Sequence, residues 1–296
     1  MISVLICSVN KDLLNNVTEN IKKTIGVPFE ILIFNNQIEK KGICEVYNQL
    51  AAKAAFDQLC FLHEDVVLKT SNWGREIVEL FSKDEKTGLI GIAGSKYKSG
   101  YCSGWYTGVK ELDCANYFHQ YSSGLEHVFL DPSGNKETEE VVCVDGVMIC
   151  TKKEVWQNIL FNDRLLKGFH FYDIDYSLRV AQHYKVIVSY KIDIVHITSG
   201  GDYSNNWVTT AILYHKEMKS ILPFSKSSIN RKKIDKQVVI TTMDHLKNYK
   251  ISFRNKMRWI VFQKLYLNPI FYYSILKFMV YQPLGLKKIH ANFKSK

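Results

Sequence analysis

The first hundred residues alternate between two hydrophobic periods, and this limits the fold more than any other feature. Ile2–Val9 is a continuous apolar, β-branched run of strand length, whereas Lys11–Ile25 places Leu14, Val17 and Ile21 at helical spacing. Phe29–Phe34 predicts a second strand. Ile43–Phe56 predicts an Ala-rich helix with Val46, Leu50 and Ala54 on one face. Leu59–Leu62, Trp73–Phe81 and Leu89–Ala93 then read as strand, helix and strand. Strands that are apolar throughout and joined by helices form a mostly parallel sheet covered on both faces. Ligands of such sheets bind beyond the C-terminal strand ends. Three polar clusters fall there: Ser8-Val9-Asn10, Asn35-Asn36 and His63-Glu64-Asp65.

Residues 95–140 break the pattern. They are rich in Gly, Ser, Lys and aromatic residues such as Tyr97, Trp105 and Tyr117, and read as a loop insertion over the strand ends. Its aromatic rings can cover a ligand bound at those ends, or pack on themselves as a small subdomain. Glu140–Cys150 returns to strand character and is followed by a short helix around Glu154–Ile159. Phe171–His183 reads as a helix, Lys185–Tyr190 as a strand, and Ile194–Thr198 as a short apolar piece before Gly200-Gly201. From Asn205 onward only helical spacing remains. The expected organisation is an α/β domain over 1–205 and a basic, aromatic helical region over 206–296.

The formal charge of +10 divides unevenly along the chain. Residues 207–296 hold 18 Lys+Arg against 3 Asp+Glu, or +15, while residues 1–206 hold 21 against 26, or −5. A basic tail on an acidic body implies an anionic partner. Runs such as Lys247–Arg258 beside Trp259–Phe262 and Phe271–Leu276 fit an interfacial helix on anionic lipid. An oligomerisation helix pair is the alternative, and no nucleic-acid fold motif supports binding to nucleic acid. With 46% hydrophobic residues, the chain can bury a core. The N-terminus lacks a basic n-region and a cleavage site, and no apolar run reaches the ~18–20 residues of a membrane span. Seven cysteines without a Cys-x-x-Cys pair fit reduced, buried thiols. A cytoplasmic protein, peripheral at the inner face of the membrane, is the expectation.

Four clusters carry potential chemistry. Glu64-Asp65 follows the buried strand Cys60-Phe61-Leu62, where carboxylates need a compensating cation or ligand. Asp173 and Asp175 occupy the first turn of a helix and complement its dipole. Positions i and i+2 point to different sides, so Asp175 can pair with Arg179 four residues on while Asp173 faces a cleft. His196 lies between Val195 and Ile197, and Asp145-Gly146 ends Val141–Val144.

Taken in order, these motifs resemble a GT-A-fold glycosyltransferase of the family-two type. The likeness is strongest to the branch whose acidic motif reads Leu-His-Glu-Asp, and it extends over about residues 1–202. The resemblance implies that Asp65 binds a divalent metal (Mn2+ or Mg2+) bridging the donor diphosphate, and that His196 completes the metal shell. It implies that Glu64 reaches the donor ribose. Asn35 falls where the family often places an Asp on the nucleobase, Ser8 and Asn10 lie along the base, and Asn48 belongs to the donor site. Asp145 falls near the donor-sugar and acceptor cleft, which the aromatic 95–140 insertion is expected to cover as an acceptor lid, and Asp173 matches the catalytic base. His63 stands in the first motif position instead of Asp. The implied activity is inverting hexosyl transfer from a nucleotide-diphosphate sugar, UDP-sugar favoured, to a glycan or lipid-linked glycan in surface polysaccharide synthesis. A catalytically silent domain that binds glycan or membrane is one alternative. A sugar nucleotidyltransferase is another, although no Gly-rich phosphate loop follows the first strand.

Overall fold

A computed structural model of the chain describes residues 1–121, 124–135, 137–197 and 203–280. Its strands, in chain order, are β1 (Ile2–Ser8), β2 (Phe29–Asn35), β3 (Gln58–Leu62), β4 (Val66–Leu68), β5 (Thr87–Gly91) and β6 (Ala93–Ser95). They continue as β7 (Asp113–Tyr121), β8 (Gly124–Leu130), β9 (Thr138–Val141), β10 (Cys143–Val144), β11 (Met148–Lys152), β12 (Lys185–Ser189) and β13 (Ile194–His196). The helices are α1 (Lys11–Thr24), α2 (Ile43–Lys53), α3 (Trp73–Lys83), α4 (Lys153–Asn158) and α5 (Tyr172–Ala181). Four more follow: α6 (Asn205–Glu217), α7 (Arg231–Leu246), α8 (Phe253–Phe262) and α9 (Tyr272–Val280). Gly200-Gly201 and residues 281–296 lie outside the described residues.

The main sheet runs β2-β1-β3-β11-β5-β12-β9. Strand β1 is parallel to β2 and β3, and β5 is parallel to β12, while β11 and β9 run antiparallel to their neighbours. Five of its seven strands therefore point the same way, as the apolar strand pattern predicts. Asn10 starts α1 as an N-cap, its side-chain oxygen accepting from the Asp12 and Leu13 amides. Such a cap contributes about 1 kcal/mol.

The 95–140 segment differs from the loop read from the sequence. It contains a β7–β8 hairpin belonging to a second sheet, β10-β6-β7-β13-β4, with β8 on β7. The expectation failed because β7 buries polar groups, which interrupts the apolar pattern. Asn116 donates to the Tyr190 and Ile192 carbonyls and to Asp193. Asp113 accepts from the amides of Thr107, Gly108 and Val109 and from the Thr107 hydroxyl. A buried polar residue with every bond made fits a sheet as well as an apolar one does.

The C-terminal helices share the core of the sheet. One buried cluster extends from Leu5 and Tyr47 through Tyr176 to Trp207, Tyr214, Trp259 and Phe278. Gly108 adopts φ +74°, and a Cβ there would collide with Thr241 of α7, so that turn is seated directly on a C-terminal helix. All seven cysteines are free and six are buried. Among the described residues, no helix is long and apolar enough to cross a membrane.

Candidate active site

Strand pairing brings the polar clusters together. Strand β4 pairs antiparallel with β13, setting His196 opposite Val66, and the Ile197 amide donates to the Asp65 carbonyl at 2.8 Å. Strand β11 pairs antiparallel with β3, and the His63 amide donates to the Val147 carbonyl at 3.1 Å. The Asp145-Gly146 turn therefore lies beside His63-Glu64-Asp65. Helix α5 closes the site by setting Tyr172 and Asp173 against Gly146. A Cβ on Gly146 would collide with the Tyr172 hydroxyl, so the close approach requires glycine.

His63, Asp65 and His196 place their ligand atoms within 4.8 Å of one another. His196 Nε2 lies 3.1 Å from Asp65 Oδ2, and His63 Nδ1 lies 3.8 Å from Asp65 Oδ1. The Tyr172 hydroxyl donates to the Gly146 carbonyl at 3.0 Å and lies 2.7 Å from His63 Nε2. Because a carbonyl only accepts, the network assigns the His63 proton to Nε2 and leaves the Nδ1 lone pair toward Asp65. Burial lowers the His63 pKa against the pull of Asp65, with His196 adding to the lowering. This favours the neutral, ligand-competent ring. Burial also opposes charge on His196, but the Asp65 hydrogen bond and charge outweigh it and the net shift is upward. Two imidazoles and a carboxylate fit a divalent transition ion better than Mg2+, which prefers an all-oxygen shell.

Asp173 is half-buried at the start of α5, and its Oδ1 accepts from the Ile174 amide at 2.8 Å. Burial, and after it the charge of Asp145, push its pKa up to about 7. Asp145 itself accepts from the Trp105 indole at 2.7 Å and from the Val147 amide at 2.9 Å. Phe171, just before α5, is held at φ +68° and packs on Trp207 and Tyr214 of α6. Left-handed backbone at a bulky residue is strained and persists where packing fixes it. Asp175 points the other way, is fully buried and accepts from Arg179 at 2.9 and 2.6 Å. The division of labour between the two aspartates thus follows their spacing.

The remaining sequence candidates are distributed differently. Glu64 lies at the strand ends, and its carboxylate accepts from the Ser8 hydroxyl at 2.6 Å and from the Val9 and Asn10 amides. It pins the turn after β1, and both Ser8 and Asn10 are engaged there. Asn35 is exposed at the end of β2 and accepts from the Gln37 amide. Asn48 bonds none of these residues. Its amide bonds the Phe161 backbone at both ends and accepts from the Trp156 indole, clamping α2 to the segment after α4. Sequence reasoning missed His63 as a possible ligand and Tyr172 as its orienting partner. The available signal was a histidine in place of the first acidic residue, with a tyrosine just before Asp173.

The glycosyltransferase like family matches residues 3–220. The chain belongs to that family. A crystal structure of GalNAc-T7 with UDP, GalNAc and Mn2+ is similar to this chain with a TM-score of 0.51 at 12% identity, over 91% of this chain and 59% of that one. The chain therefore spans about three-fifths of the GalNAc-T7 chain, and the likeness shows the GT-A fold. A STIV protein structure aligns at a TM-score of 0.39 and 12% identity, over 67% of this chain and 87% of that one, and carries no argument. No curated protein matches.

Proposed function

We propose that this glycosyltransferase catalyses metal-dependent, inverting transfer of a hexosyl group from a nucleotide-diphosphate sugar, UDP-sugar favoured, to a glycan hydroxyl. The carrying observation is the half-buried Asp173 carboxylate, poised near neutral pH beside Asp145 at the strand ends that bear His63, Asp65 and His196. Asp173 takes the proton from the attacking acceptor hydroxyl as the new glycosidic bond forms and the nucleoside diphosphate leaves. A base titrating near the working pH suits that role. His63, Asp65 and His196 would hold the divalent ion. When bound, it supplies Lewis-acid stabilisation of charge on the leaving diphosphate.

Asp145 keeps Asp173 protonatable and is itself oriented by Trp105, which lies where an acceptor lid would sit. Ser8, Asn10, Asn35 and Glu64 shape the nucleoside end of the cleft, with Glu64 holding the β1 turn. Residues 1–205 would carry the chemistry and 206–296 its placement, on a lipid-linked glycan acceptor of surface polysaccharide synthesis at the cytoplasmic face. The test is proton NMR of the product from a UDP-sugar with Mn2+. A product of opposite anomeric configuration to the donor supports the reading. Retained configuration rules out the single-displacement role of Asp173.

A further inference from the structure

Among the described residues, 20 large hydrophobic side chains are exposed, and 11 of them lie between Phe253 and Val280. The inner faces of this segment are already occupied. Trp259, Ile260, Phe271 and Phe278 are buried, and the Trp259 and Phe278 rings meet edge-on at 5.9 Å. The outer faces are apolar as well. On α8, Phe253, Met257 and Val261 recur every four residues and are 70%, 39% and 49% exposed. On α9, Tyr273, Leu276 and Val280 follow at i, i+3 and i+7 and are 77%, 63% and 70% exposed. Residues at these spacings share one side of a helix. A helix apolar on both sides has a partner beyond its own core.

Charge identifies the partner. Residues 245–280 contain seven Lys+Arg and no Asp or Glu. Lys256 is buried and donates to the Phe278 carbonyl at 2.7 Å, and Lys247 and Lys277 reach Asp244. Arg254 and Arg258 are exposed and directly follow stripe residues Phe253 and Met257. A second copy of the chain would set these like charges against each other. Nucleic acid would engage the arginines and aromatic rings but not Val261, Leu276 and Val280. An anionic bilayer satisfies both sets of groups, with acyl chains taking the aliphatic and aromatic side chains and headgroup phosphates taking the guanidiniums.

We propose that the outer face of α8 and α9 docks on an anionic lipid surface. The proposed transfer to a lipid-linked acceptor gives the docking its purpose, but the binding does not depend on that reading. The test is co-sedimentation of the full chain with phosphatidylcholine vesicles, with and without phosphatidylserine, at low and high salt. Binding is expected only with phosphatidylserine and is expected to weaken at high salt. The exposed pair Arg254→Gln/Arg258→Gln should lower partitioning roughly 30-fold. Phe253→Ser/Tyr273→Ser should lower it more than about tenfold while leaving the melting temperature unchanged. Absence of binding to phosphatidylserine vesicles at low salt overturns the proposal. So does binding that neither double variant weakens, or a lipid-independent dimer that Phe253→Ser/Tyr273→Ser dissolves. Asp173→Asn should sediment like the native chain, so failure of the transferase reading appears in nucleotide release and not here.

Discussion

Replacing Asp173 by Asn should impair catalysis and stabilise the fold at the same time. Burial, then the Asp145 carboxylate, raise the Asp173 pKa from the ordinary 3.8 to about 7. Between those values the folded chain holds more protons at this residue than the unfolded chain, so stability falls as pH rises through that window. The cost is absent below about pH 4 and complete above about pH 7. At ~1.4 kcal/mol per pKa unit, the full rise corresponds to about 4 kcal/mol. Asp173 keeps some contact with water, and screening reduces this to about 1–2 kcal/mol. The amide of Asp173→Asn cannot ionise, yet its oxygen can still accept from the Ile174 amide. Thermal melts at pH 8 should therefore place the variant a few degrees above the native chain, at ~2–4 °C per kcal/mol, with no difference near pH 4. Turnover should fall by roughly 10²–10⁴-fold. The native kcat/KM should rise with pH along a limb near pH 7. A variant less stable at pH 8, or one with near-normal turnover, would falsify the assignment of a strained, catalytic carboxylate.

Arg179→Ala leaves the fully buried Asp175 without its cation and should destabilise the chain by about 3 kcal/mol in urea unfolding. An effect below about 0.5 kcal/mol would mean the pair carries no structural role. Tyr172→Phe removes the hydroxyl that fixes the His63 tautomer and should weaken Mn2+ affinity roughly tenfold by calorimetry, at little cost in donor affinity without metal. Unchanged Mn2+ affinity would detach Tyr172 from the metal cluster.

Much of the fold was legible in the sequence, because the parallel strands of the main sheet are mostly apolar and the helices between them carry 3.6-residue spacing. The different fates of Asp173 and Asp175 were legible for the same kind of reason, since a two-residue step turns side chains to different sides of a helix. The second sheet was not, because β7 buries Asp113 and Asn116 and satisfies them through partners distant in sequence. Nor could spacing reveal that Glu64 is taken up by the amides after β1. That fact depends on β1 and β3 lying side by side with their ends in register. The contact between Gly108 and Thr241 is likewise a product of the folded chain alone.

The central claim is that His63, Asp65 and His196 hold a divalent ion that Asp173-dependent sugar transfer requires. The most direct measurement is nucleoside diphosphate release from a panel of nucleotide sugars, with Mn2+ or with EDTA, by the native chain and by Asp65→Ala. We expect release with Mn2+ from at least one donor, none with EDTA, and none from Asp65→Ala. Release that persists in EDTA or survives loss of Asp65 would contradict the claim.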